Sequence, residues 1–130
     1  MLDKAKIYIV DFDDSFTFNI AAELYHYEKS IVVVSHNEFF SEKFFKFVLT
    51  LKTPMAIILG PGPGSPEEYG DYFSQINEIK SKENIFLMGI CLGHQMLGLI
   101  DGLSIRRSAK PTHGGQMKIN FENKNILVQR

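Results

Sequence analysis

A single cysteine in 130 residues excludes an internal disulfide, and a reducing cytoplasm is the expected setting. Tryptophan is absent while phenylalanine occurs 11 times, which predicts a core built from simple packing residues. Charge of neither sign dominates. The formal net charge of −1 gives no reason to expect nucleic acid or an anionic membrane as a partner. No apolar run reaches the roughly 20 residues of a membrane span. The opening MLDKAKIYIVD lacks the layout of a secretory signal. Repeats, low-complexity tracts and linkers are also missing, so residues 1–130 read as one domain, long enough to bury a core.

What is present is a rhythm. Four short runs, KIYIVD (6–11), SIVVVSH (30–36), MAIILG (55–60) and IFLMGI (85–90), are apolar at nearly every position rather than alternating. That pattern predicts strands covered on both faces, as in a parallel sheet. Between them lie stretches with helical spacing at 15–29, 38–51 and 65–81, and a shorter one after Cys91 that closes near Asp101. In the first of these, Phe16, Ile20 and Leu24 fall one turn apart. The third opens as a capping box, with Ser65 as N-cap, Pro66 next and Glu68 at the third position, while Gly70 and Asp71 can distort its first turns. The alternation predicts a doubly wound α/β fold with a mostly parallel sheet and helices on both faces. Beyond residue 103 the rhythm changes to the short segments LSIRRSA, GQMKINF and NILVQR, expected to be extended.

Three strand ends carry residue patterns with chemical meaning. MGICLGHQ (88–95) places Cys91 between Gly89 and Gly93 at a strand-to-helix junction. This is the logic of a nucleophile elbow, in which flanking glycines make room for a tight, strained turn. A thiol at a helix N-terminus meets the positive end of the macrodipole, which favours the thiolate. The Leu92 amide would point to where an oxyanion forms. The other reading is a small apolar cysteine in an ordinary turn. LGPGPGSP (59–66) is stiff at Pro61 and Pro63 and free of side chains at Gly62 and Gly64, so it can bring backbone N–H groups close to a ligand or simply connect strand to helix. Both motifs sit at carboxyl ends of predicted strands, where open α/β sheets bind ligands.

The third pattern is VDFDDSFTFN (10–19). Asp14 or Ser15 can cap the following helix, and Asp11, Asp13 and Asp14 together can be read as a magnesium site. Capping is preferred, because no further acidic residue is placed to complete the site. Four histidines, His26, His36, His94 and His113, lack zinc-ligand spacing with the one cysteine. His94 need not point back to the thiol, and His26 and His36 read as structural. His113, in a turn, can approach the site. No metal and no cofactor is expected.

Taken together, the three motifs resemble those of class I (triad-type) glutamine amidotransferases. GICLGHQ matches the nucleophile motif, and PGPG resembles the oxyanion loop. DFDDSFTFN resembles the D-N-x-D-S-F-T-x-N start of the branch serving anthranilate synthase, as its component II, and aminodeoxychorismate synthase. The resemblance spans residues 6 to about 113, and Gly115 stands where the branch's H-G-K segment has lysine. It implies a flavodoxin-like fold, with Cys91 as nucleophile and the backbone of Leu92 and Gly62 as oxyanion hole. Gly62, Pro63, Gly64 and Gln95 would lie on the substrate glutamine. Ammonia would pass to a chorismate-utilising synthase subunit (component I), in tryptophan or folate biosynthesis.

The family's base is a histidine oriented by a glutamate two residues later, in an H-P-E motif near the C-terminus. No such motif follows Cys91. HNE (36–38) has the letters but precedes the nucleophile. The resemblance therefore implies a C-terminally truncated domain, with the final strands, the base and part of the glutamine site missing, and little or no glutaminase activity for these residues alone. An exposed sheet edge or apolar patch would then permit self-association. The competing readings are a non-catalytic module that docks the synthase, and another flavodoxin-like cysteine hydrolase or signalling domain.

Overall fold

The computed structural model describes residues 5–110 and residue 116. Four strands, β1 (Ile7–Asp11), β2 (Ile31–Ser35), β3 (Met55–Leu59) and β4 (Ile85–Gly89), form one sheet in the order β2-β1-β3-β4. Every pairing is parallel. The chain steps one way from β1 to β2 and the other way from β2 through β3 to β4. Right-handed crossovers then place the first helix on one face and the later helices on the other. This is the doubly wound topology that the apolar runs predict, and the start of the flavodoxin-like order.

Helix α1 (Thr17–Leu24) follows β1, and α2 (His36–Phe39) and α3 (Glu42–Thr50) follow β2. A 3₁₀ segment (Pro66–Tyr72) and α4 (Phe73–Lys80) lie between β3 and β4, and α5 (Leu92–Ile100) follows β4. Three expectations need correction. The helix predicted over 15–29 stops at Leu24, because Tyr27 N–H turns to the Leu24 carbonyl, three residues back, and tightens the chain out of the helix. The stretch 38–51 is two helices. Ser35 Oγ accepts from Glu38 N–H at 3.1 Å and Ser41 Oγ accepts from Phe44 N–H at 3.2 Å, so each serine starts its own helix. That break lets Phe39, Phe40, Phe44 and Val48 all enter the core, although on one continuous helix they would spread over about half its circumference. LSIRRSA (103–109) forms no strand and is exposed coil. GQMKINF apart from Gln116, FENKN, NILVQR, His113 and Gly115 lie outside the described residues.

The capping box at Ser65 is confirmed in part. The Glu68 carboxylate accepts from Ser65 N–H at 2.6 Å, but the turns that follow, through Gly70 and Asp71, are 3₁₀ rather than α. The main core joins Tyr8, Val10, Ile57, Leu59 and Ile85 of the sheet to Phe44, Val48, Ile76, Ile79, Leu92 and Met96 of the helices. Strand alternation turns Ile9 and Ile58 to the opposite face, where both are buried.

Candidate active site

The registers Val10 with Leu59 and Leu59 with Gly89 bring the ends of β1, β3 and β4 level, so their three loops meet at one end of the sheet. Cys91 lies at the first residue boundary of α5 with φ 52° and ψ −111°, a conformation rare outside glycine. Such a position costs on the order of 1–3 kcal/mol and persists only where its surroundings enforce it. The surroundings are specific. A Cβ on Gly93 would overlap the Leu59 carbonyl, and one on Gly89 would overlap the backbone of Gly93 and His94. The two glycines thus let α5 start directly against β3 and β4. The turn holds the thiol out, and Cys91 is exposed. It is a strained elbow, and the reading of Cys91 as a buried apolar residue falls away.

The loop 60–65 is fastened to this elbow. Gly93 N–H donates to the Gly60 carbonyl at 3.2 Å, and Ile90 N–H donates to the Leu59 carbonyl at 2.8 Å. Gly62 sits against both other loops: a Cβ there would come within 2.5 Å of Phe12 Cβ and 2.9 Å of Leu92 Cδ2. Gly64 takes φ 81° at the loop's exposed crest beside Pro63. Leu92 opens α5, where amides have no carbonyl four residues back to accept from them. Its N–H is therefore unspent by the helix, whereas that of Gly93 serves Gly60 and Ile90. Gln95, one turn on and half-buried, donates its own N–H to the Cys91 carbonyl at 3.0 Å. Cys91, Leu92, Gly62 and Gln95 are thus brought together, with Pro63 and Gly64 on the rim.

The acidic cluster does not converge. Asp11 Oδ1 accepts from Thr17 Oγ1 at 2.7 Å and from Asp14 N–H at 3.2 Å. Asp14 Oδ2 accepts from Phe16 N–H at 2.8 Å in a turn ahead of α1, whose N-cap is Phe16 without a side-chain cap, so the cap expected from Asp14 or Ser15 does not form. Asp13 turns instead to His36, whose Nε2–H donates to Oδ2 at 3.0 Å, since a carboxylate can only accept. Among the described residues no group of three His, Cys, Asp or Glu is placed to hold a metal ion.

Nor does HNE form a dyad: the partner of His36 is Asp13, and Glu38 heads α2 under the Ser35 cap. A second H-x-E, His26-Tyr27-Glu28, escapes a reading centred on the nucleophile. Its glutamate accepts from Ser30 N–H at 2.9 Å and pairs with Lys6, which commits it to the turn before β2. Among the described residues no histidine is hydrogen-bonded to Cys91. Sequence reasoning also missed Tyr69, half-buried against Phe12 and His36 at ring separations of 5.1 and 6.0 Å. Burial raises its pKa above the usual tyrosine value, and the nearby Glu68 and Asp13 carboxylates raise it further.

A parallel α/β sheet in 2-1-3-4 order, with a strained cysteine elbow tied to a Pro-Gly loop, defines a flavodoxin-like α/β domain. Within that class the chain belongs to the class I glutamine amidotransferases, whose family model matches residues 8–130. It is 34% identical over 122 residues to anthranilate synthase component 2 of Porphyra purpurea, covering 94% of this chain and 61% of that protein. Against aminodeoxychorismate synthase component 2 of Klebsiella aerogenes the identity is 30%, covering 94% and 62%. Against anthranilate synthase component 2 of Saccharolobus solfataricus it is 35%, covering 92% and 59%. The chain spans about three fifths of the length of these relatives. No helix among the described residues is long and apolar enough to cross a membrane.

Proposed function

We propose that the chain is the glutamine-handling part of a chorismate-aminating enzyme, and that Cys91 is its nucleophile. The observation that carries this is the backbone of Cys91 itself: a non-glycine residue held at φ 52° beside a loop whose Gly62 has no room for a side chain. In this reading the Cys91 thiolate attacks the side-chain amide carbon of glutamine, forming an Sγ–C bond. The amides of Leu92 and Gly62 stabilise the tetrahedral oxyanion. The C–N bond breaks, and the leaving nitrogen takes a proton and departs as ammonia. Water then attacks the γ-glutamyl thioester, releasing glutamate and returning the thiol. Gln95, Pro63 and Gly64 would hold the substrate glutamine, and no cofactor or metal enters a step. Ammonia would be consumed by a chorismate-utilising synthase subunit, with either anthranilate or aminodeoxychorismate as product, in the cytoplasm.

Acyl-enzyme formation and breakdown both move protons, and these 130 residues supply no His-x-Glu pair after the elbow. The expected result is little or no turnover by this chain alone. A steady-state glutaminase assay with and without a synthase subunit checks it. Turnover at an ordinary enzymic rate that disappears in Cys91→Ala would refute the inactivity. Labelling by the chloroketone analogue of glutamine tests the site reading directly: it should modify Cys91, and an inert thiol would remove that reading.

A second reading, a module that docks the synthase without supplying ammonia, is favoured by one observation: no described histidine is bonded to Cys91. Self-association is also proposed, through the outer edge of β4 and its exposed Phe86 and Met88. Size-exclusion chromatography giving one monomer peak over a wide concentration range would exclude it.

A further inference from the structure

The β1–β2 register sets Asp11 beside Ser35, and this brings Asp13, two residues beyond β1, next to His36, the residue after β2, although 23 positions separate them. The pair is not isolated. The His36 ring stacks on Phe12, with centroids 5.8 Å apart and planes 9° from parallel. Tyr69 meets both rings edge-on. Phe12 is buried, and its Cβ and carbonyl form the floor on which Gly62 rests, with Leu92 as the third wall. Tyr69 belongs to the 3₁₀ segment that loop 60–65 leads into, and the preceding residue, Glu68, holds Ser65 N–H. Loop 60–65 is therefore gripped at its start by α5, under its middle by Phe12 and at its end by the 3₁₀ segment. Two of these three grips meet at His36.

We infer that His36 and Asp13 are positioning residues for the Gly62 amide, acting through Phe12 and Tyr69 and touching neither the thiol nor the substrate. Asp13 is held at φ 62°, so the His36 bond fixes a loop whose backbone would otherwise relax to an ordinary conformation. Releasing it frees Phe12 to shift, and the floor under Gly62 shifts with it. The inference rests on the proposal that loop 60–65 is the oxyanion loop. Small displacements of an oxyanion donor are costly, because donors work only where the charge develops.

The test compares Cys91 labelling by the glutamine chloroketone with labelling by iodoacetamide, a small reagent that reports thiol reactivity alone. Asp13→Asn and His36→Ala should lower the chloroketone-to-iodoacetamide rate ratio roughly tenfold, less than the hundredfold or more lost with an oxyanion donor outright. The loss should fall on the maximal labelling rate rather than on half-saturation. Asparagine tolerates positive φ, so Asp13→Asn keeps the backbone. His36→Gln, which retains a donor at the same reach, should restore the ratio. Unchanged ratios in folded Asp13→Asn and His36→Ala chains would overturn the positioning role while leaving the site reading intact. Iodoacetamide labelling without any chloroketone labelling of the unsubstituted chain would overturn both.

Discussion

The two faces of the sheet are built to different standards. On one, Tyr8, Val10, Ile57 and Leu59 lie under α2 to α5, and the strands reach complete burial. On the other, Ile9 and Ile58 are buried, but Phe86 and Met88 of β4 remain 51% and 44% exposed among the described residues. The elements that carry the candidate site, α5 and the 3₁₀ segment after the Gly62 loop, belong to the closed face. Stability and site geometry are thus expected to rise and fall together there, while the open face is free to take on other contacts.

Substitutions can sharpen or break that contrast. The largest effect is expected from Ile57→Ala, a fully buried residue on the closed face, at about 4 kcal/mol of unfolding free energy by urea titration. Phe86→Ala, one strand away on the open face, should cost less than about 1 kcal/mol. Equal losses would abolish the distinction between the faces. Gly93→Ala comes next, at about 3 kcal/mol, because its methyl group must displace the Leu59 carbonyl. Chloroketone labelling of Cys91 should fall in the same protein even at temperatures where it stays folded. Ser41→Ala removes the cap that starts α3 and should lower stability by about 1 kcal/mol.

The smallest effect is a pH dependence. Tyr69 has its pKa raised in the folded chain, so the folded state holds that proton more tightly than the unfolded one. Its stabilising contribution is full below the ordinary tyrosine value, about 10, and is lost as pH rises past it. Ultraviolet titration should show one tyrosine ionising later than the rest, and Tyr69→Phe should remove that late step.

How much of this was legible in the sequence depended on range. The four strands were legible because two-sided burial leaves continuous apolar runs. The elbow was legible because Gly89, Cys91 and Gly93 act within five residues. The Ser65 and Glu68 interaction could be read for the same reason. The division of 38–51 was hidden, because phenylalanines at 39, 40, 44, 45 and 47 suit one apolar helix or two, and only the Ser41 cap decides. The end of α1 was hidden too, since Tyr25 and Tyr27 continue the helical spacing after the backbone has turned. The His36–Asp13 bond was out of reach, because the β1–β2 register creates it. HNE has the letters of the motif, but its place before the nucleophile motif already excludes it as the dyad, and the structure commits His36 to Asp13.

The backbone at Cys91 sets the elbow against the stability of the fold. Glycine would occupy that left-handed position with less strain, so Cys91→Gly is expected to make the protein more stable. A cysteine there works against folding, and under the proposed nucleophile role that lost stability is the cost of keeping a thiol at the sheet end.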